Sequence, residues 1–541
     1  MIIDEVEIKT ANLDHHGLIA AICHDVDLIE RINKLIGSSD PRRVVSPGEA
    51  VVAMILNGLG FANRRLYLTP QFFESKPIER LLRKNFKASD FDDHALGKAL
   101  DEIAEYGPDR LFGEVAFEIA INKNLLGKDA YTDTTSYSTN GEYSTEEPGT
   151  IDITYGYSKD KRPDLKQVMM SLVTTGSAQI PIWMQPLSGN SADSKALLET
   201  AQRVQSFQSQ LKIRTQFRWV MDAAAYSANN LIELKSCLWI IRVPERIKEA
   251  SDLLQLDDSV FIWQDCDNGY KVAAHESQYA GIRQRWIIVF SQQAYLREIT
   301  TLQRNIQKTS IVLEKKLWHL KNKLFTCEAD ATQWMIDLKK QFPLFSIIYT
   351  VDEEKKHIKR GRPNTASEAI AIGYVINATH QKNEAVIANL SRCKGRFIIA
   401  TNDFDSINFT DKDVLIAYKE QQQVERGFRF LKDPWFMLDT FFLKTKRRVA
   451  ALMAVMTLCL LIYNLAQHTL RQSLFEQQET IPDQKGKPTT RPTMRWVFQL
   501  FEGISIIYLN DENDLVSNLT QLRIRIIRIF GDRAKQIYGI T

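Results

Sequence analysis

Six cysteines, Cys23, Cys237, Cys266, Cys327, Cys393 and Cys459, are scattered along 541 residues, and none pair at zinc-ligand spacing. With no secretory signal at the start, this excludes a disulfide framework and points to a reducing cytoplasm. The histidines say as little: His15, His16, His24, His94 and His319 show no metal-ligand spacing with carboxylates. Lys359-Arg360-Gly361-Arg362-Pro363 lacks the glycine spacing and the Lys-Ser/Thr ending of a phosphate-cradling loop, so no ATP dependence is expected. Net charge is only +3, too small by itself to announce a nucleic-acid partner. There is no internal repeat. One long run, Val449 to Ala466, carries no charge and is about long enough to cross a bilayer. A carboxylate-bearing helix precedes it closely and no second apolar span follows, so a buried helix, and no membrane, is expected.

What is present is a soluble composition, 44% apolar and 25% charged, in a chain too long for one ordinary core. Residues 1–125 read as a helical domain, with Leu18, Ile19, Ile22, Val26, Leu28 and Ile29 near helical spacing and Ser46-Pro47 opening another helix. From Ala130 the texture changes. β-rich runs at 152–157, 167–174 and 180–186 precede a helix at 193–208, a strand at 217–222, a helix at 227–234 and a strand at 238–243. That order predicts an α/β fold of ribonuclease-H-like type, a mixed sheet flanked by helices with carboxylates on adjacent strands. Residues 126–243 form its first part and 395–475 its second, around an α+β insertion at 244–394. In the second part a polar helix spans 411–431 and an apolar one 447–472. Residues 476–491 read as a linker to a small basic unit, the whole spanning 476–541 and carrying Arg495, Arg523, Arg525 and Arg528.

Three acids stand out. Asp133 sits in Tyr131-Thr132-Asp133-Thr134-Thr135, where β-branched and aromatic neighbours favour a central strand. Asp222 ends Phe217-Arg218-Trp219-Val220-Met221 before three alanines, which places it at a strand's carboxyl end, where α/β sheets carry sites. In the 411–431 helix, a turn of about 100° per residue puts Tyr418, Gln421, Glu425 and Lys432 within an arc of roughly 60°, with Arg429 close to the stripe and Glu420 on nearly the opposite side. Clustered carboxylates are hard ligands suited to magnesium, and paired magnesium ions support phosphodiester chemistry. Basic clusters at Lys159, Lys161 and Arg162, at Lys359, Arg360 and Arg362, and at Lys444, Lys446, Arg447 and Arg448 could neutralise phosphates if each shares a face.

The spacing Tyr418-x2-Gln421-x3-Glu425-x6-Lys432 resembles the Tyr-x2-Arg-x3-Glu-x6-Lys signature of insertion-sequence transposases with a DDE site, in the insertion sequence 4-like group. Residues 155–167 and 187–193 also resemble that family's stretches between its first and second Asp, and the nearest branch is the insertion sequence 1634 group. The resemblance covers most of the chain, including the helical region ahead of the core, which it implies is a DNA-binding domain. It implies that Asp133, Asp222 and Glu425 are catalytic and bind two Mg2+ ions, with Mn2+ able to substitute. It further implies that Tyr418 and Lys432 contact DNA, with Gln421, Arg429, Lys159 and Arg162 as companions, and that the protein works on element ends and target DNA as a homodimer. Two departures stand: Gln421 replaces the motif's Arg, and no Trp lies between Trp334 and Trp435. A hairpin route that stacks an extruded base on an aromatic face is therefore not carried over. The rival readings are a metal-dependent nuclease of the same fold, which cuts without joining, and a transposase-derived DNA-binding protein without mobile activity.

Overall fold

The computed structural model describes residues 8–37, 43–60, 66–141, 143, 151–357, 369–433, 443, 445–509 and 513–540. Lys359, Arg360, Arg362, Lys444 and Trp435 lie outside the described residues. The chain is a mixed α/β protein of two compact units, one made of residues 1–241 and 416–541, the other of 242–415.

In the first unit the sheet is built on β1 (Asp129–Thr139), β2 (Lys166–Thr175), β3 (Ile180–Leu187), β4 (Arg218–Met221) and β5 (Leu238–Val243), in the spatial order β3-β2-β1-β4-β5. β1 pairs antiparallel with β2 and parallel with β4, so the sheet changes sense at β1. Its strands are buried almost throughout because helices cover both faces. On one face lies α1 (Asp193–Gln210), tied to β2 by a 2.9 Å hydrogen bond from Thr200 Oγ1 to Ser171 Oγ. On the other lie α3 (Gln422–Leu431), which continues from α2 (Asp411–Glu420), and α4 (Lys446–Glu476). Helices Pro47–Gly58, Asp93–Tyr106 and Pro108–Asn122 pack around α4 in turn. This explains the uncharged run from Val449. By length and composition α4 could cross a membrane, but nearly all of that run is buried against protein. Strand Ile8–Asn12 pairs with Ser505–Leu509, so the N- and C-terminal segments of this unit share a small sheet.

Three local expectations are corrected. The run at 152–157 is not a strand; only Thr154 bridges to Gln167. The Gln167 amide donates to the carbonyls of Tyr157 at 3.2 Å and Gly189 at 2.6 Å, so a side chain does what a neighbouring strand would do. The first core strand is instead β1, whose Thr and Tyr residues suit a pleated surface. The helix expected over 411–431 is interrupted at Gln421. There the Gln421 N–H donates to the Tyr418 carbonyl and the Val424 N–H to the Gln421 carbonyl, three-residue steps that tighten the turn. Finally, 476–491 contains a short hairpin, Ile481–Pro482 with Pro488–Thr489.

The second unit carries antiparallel strands in the order Arg396–Thr401, Ile282–Ser291, Tyr270–Tyr279, Gln264–Cys266. Its long helix Gln292–Leu320 and helix Glu328–Gln341 bury Leu313, Leu317, Met335 and Leu338 against the hairpin Phe345–His357 and Ala369–Lys382.

Candidate active site

β1 and β4 run parallel with Tyr131 opposite Val220. Two residues further along both strands, Asp133 stands level with Asp222, just beyond the last laddered residue of β4. Strand side chains alternate with a period of two, so both aspartates leave the same face, on strands about 4.8 Å apart. The Asp222 carboxylate accepts the Ala224 N–H at 2.8 Å, which caps the short turn after β4 and fixes the side chain.

Glu425 lies on α3, which packs over this face of the sheet. Asp133 pairs across the ladder with Leu172, and a Cβ on Gly427 would touch Leu172 Cδ2 at 3.0 Å and Leu460 Cδ2 at 3.2 Å. Gly427 therefore lets the helix lie close over the Asp133 side of the sheet. Along β1 the helix is aligned by two landmarks. Glu420 shares a cleft with Tyr131, and Lys432 Nζ stands 5.4 Å from the Tyr137 ring centre. Six strand residues and twelve helix residues both span about 18–20 Å, and Glu425 falls between these two landmarks on the helix as Asp133 does on the strand. Glu425 is exposed on this helix, while Val424, Phe428 and Leu431 anchor it below. Among the described residues, no three acidic, histidine or cysteine side chains are drawn together closely enough to hold one ion.

Around the aspartates the electrostatics are strained. Burial, opposed by Lys159 and the Thr134 N–H and reinforced by Asp222 and Asp193, pushes the Asp133 carboxyl up to about 6. Asp193, at the start of α1, is a neighbour that sequence reasoning did not assign. It accepts from Thr134 Oγ1 at 2.5 Å and lies 3.3 Å from Lys159 Nζ. Lys159 also donates to the Thr134 carbonyl at 2.7 Å and to Thr134 Oγ1 at 3.0 Å. Two close glycine contacts bring these groups in: Gly156 leaves no room for a Cβ against the Gly189 carbonyl, and Gly189 none against the Gln167 carbonyl. The 155–167 and 187–193 segments thus meet, and their packing delivers Lys159 and Asp193 to the rim of Asp133. The only signal in the sequence was that these two stretches stood out together.

The remaining candidates are placed as follows. Tyr418 is half-buried near the end of α2, Gln421 occupies the break, and Arg429 is exposed. Lys432 pairs with Asp160 at 2.9 Å and Arg162 with Asp164 at 2.8 Å. In the cluster preceding α4, Lys446 is buried on Asp152 at 3.0 Å and Arg448 holds Asp101 at 2.7 Å, so these two cations serve the fold.

A family model described as a transposase DDE domain matches residues 132–465, beginning one residue before Asp133 and covering more than half of the chain. The chain belongs to the DDE-domain transposase family. This transposase is thus an enzyme that acts on DNA. A second model, a domain of unknown function (DUF4277), matches residues 8–117, the helical region ahead of the sheet. No curated protein matches. Among solved structures, a piggyBac transposase synaptic complex with hairpin DNA aligns at 10% identity over 91% of this chain and 80% of the other. Its TM-score is 0.36.

DDE transposases as a family use divalent metal ions. Asp133 and Asp222 offer hard carboxylate oxygens of the kind such an ion takes, and the like charge of Asp222 and Asp193 raises the cost of ionising Asp133 in the absence of a cation.

Proposed function

We propose that this transposase binds the terminal inverted repeats of an insertion sequence and carries out metal-dependent cleavage and strand transfer with Asp133, Asp222 and Glu425 as its catalytic carboxylates. The observation that carries the reading is the in-register placement of Asp133 and Asp222 on neighbouring parallel strands, under the helix that bears Glu425. The sheet order β3-β2-β1-β4-β5, with both faces covered, supports a ribonuclease-H-like core. The Tyr418, Gln421, Glu425 and Lys432 spacing supports the insertion sequence 1634 group as the branch.

The three carboxylates would hold two Mg2+ ions, or Mn2+ in their place, which when bound activate the attacking oxygen and stabilise the departing one. The chain's own residues supply the frame. Lys159, fixed between Asp193 and Thr134, favours the ionised form of Asp133. The Ala224 N–H orients Asp222. Tyr418, Gln421, Arg429 and Lys432 offer contacts for DNA beside Glu425, and Lys159 and Arg162 do so beside Asp133. The reaction needs no ATP, proceeds in the cytoplasm and is performed by a homodimer across two element ends.

The test uses labelled DNA from the ends of the flanking element, a target plasmid and Mg2+, with wild type beside Glu425→Gln. Wild type should nick the ends and join them to the plasmid, and the variant should do neither while still binding. Equal activity in both would sink the assignment. Cutting without joining would favour the nuclease reading, and binding without cutting by wild type would favour a DNA-binding protein.

A further inference from the structure

Glu420, at the end of α2, and Gln423 and Arg426, one turn apart on α3, lie together beside the break at Gln421. With Lys128, Asp129, Tyr131 and Arg491 they line a cleft of about 550 Å³ at the start of β1. Both of its acids are already engaged. Asp129 accepts from Arg218 Nε at 2.7 Å, and Glu420 accepts from Gln423 Nε2 at 2.7 Å. The arginines here have no such carboxylate partner among the described residues. Arg426 and Arg491 are exposed, and Arg471, half-buried on α4, joins them by donating to the Pro492 carbonyl at 2.9 Å. Burial first, then the nearby Arg491 and Arg426, hold the Arg471 guanidinium below its usual range. Among the described residues, none of these three arginines is paired with a carboxylate. Gathering like charges costs free energy that a bound polyanion offsets, and an open cleft with two exposed guanidiniums suits a backbone better than an enclosed small anion.

We propose that Arg426, Arg491 and Arg471 form a phosphate-binding site for the DNA backbone, on a flank of α3 turned about 100° from Glu425. The inference rests on the reading of the protein as one that binds DNA. It adds a contact that the Tyr-Gln-Glu-Lys stripe does not contain, so duplex bound here is held on two flanks of α3.

The test measures binding of a fluorescein-labelled duplex to the full-length protein by anisotropy across a salt series. It compares wild type with Arg426→Gln/Arg491→Gln, Arg426→Lys/Arg491→Lys, and Arg304→Gln, a change at an exposed arginine on helix Gln292–Leu320. Each phosphate contact contributes about 0.9 to the slope of log K against log salt. The glutamine pair should lose roughly 2 from that slope and about tenfold or more in affinity at low salt. The lysine pair should restore most of the slope, and Arg304→Gln should match wild type. A glutamine pair with the wild-type slope and affinity, and an unchanged melting temperature, would overturn this site alone. Failure of wild type to bind any duplex would overturn the DNA reading, and this site with it.

Discussion

Replacing Asp133 by Asn should stabilise the metal-free protein at neutral pH while destroying its response to divalent cations. In the fold, burial and the charges of Asp222 and Asp193 raise the Asp133 carboxyl to about 6 from an ordinary value near 3.8. Between those two values the folded chain holds a proton that the unfolded chain has lost. Stability contributed by this group therefore falls as pH rises through the window, and the cost is fully present above about 6. Two units at about 1.4 kcal/mol each give about 3 kcal/mol, and access of water to the half-covered side chain lowers this to about 1–3 kcal/mol. For a unit of this size that corresponds to roughly 2–5 °C. His15 and His16 tilt the whole profile the other way. Both are buried, and His15 is lowered to about 4 by burial, so their contribution is lost as pH falls from about 6.5. The informative quantity is thus the difference between variant and wild type, measured by calorimetry in chelator at pH 4.5, 6 and 8. That difference should be about a third of its full size at the lowest pH, which already lies inside the window, and favour Asp133→Asn by a few degrees at the highest. Added Mg2+ or Mn2+ should then raise the wild-type transition and leave the variant nearly unmoved. A variant less stable than wild type at pH 8 in chelator would refute the electrostatic account of the site.

Other outcomes follow from particular contacts. Gly427→Val should push α3 off Leu172 and Leu460, costing about 1–3 kcal/mol by overpacking and reducing cleavage with DNA binding retained; thermal melts and a cleavage assay check both. Asp193→Asn removes the anion beside Lys159, and the freed Lys159 should draw the Asp133 carboxyl lower, shifting the acid limb of the cleavage pH profile downward. Lys446→Met should be tolerated far better than a buried cation would suggest, within about 1–2 kcal/mol by melting, because its partner Asp152 is largely exposed.

How much of this was legible in the sequence depended on whether the cause was local. Asp222 at a strand's carboxyl end could be read from the apolar run before it and the alanines after it, and the strand does end at Met221. The buried character of α4 followed from its flanks. The register of β1 against β4 could not be read, because it is set by pairing between segments far apart in the chain, yet it alone puts Asp133 beside Asp222. The break at Gln421 was equally hidden. Helical periodicity is blind to a few three-residue hydrogen bonds that change the turn without changing φ and ψ much. The run at 152–157 misled because a Gln side chain can satisfy backbone carbonyls as a strand would. The cluster before α4 shows a similar limit: whether a lysine such as Lys446 faces phosphate or a buried partner is a tertiary fact.

The claim that Asp133, Asp222 and Glu425 together hold divalent ions is tested most directly by loading the DNA-bound protein with Fe2+ in place of Mg2+. Ascorbate and peroxide then generate hydroxyl radicals at the bound iron, and the backbone cuts can be mapped. The account predicts cuts clustered at residues near 133, 222 and 425, suppressed by excess Mg2+ and lost in Asp222→Asn. Cuts confined to other segments, or a pattern unchanged by that substitution, would contradict it.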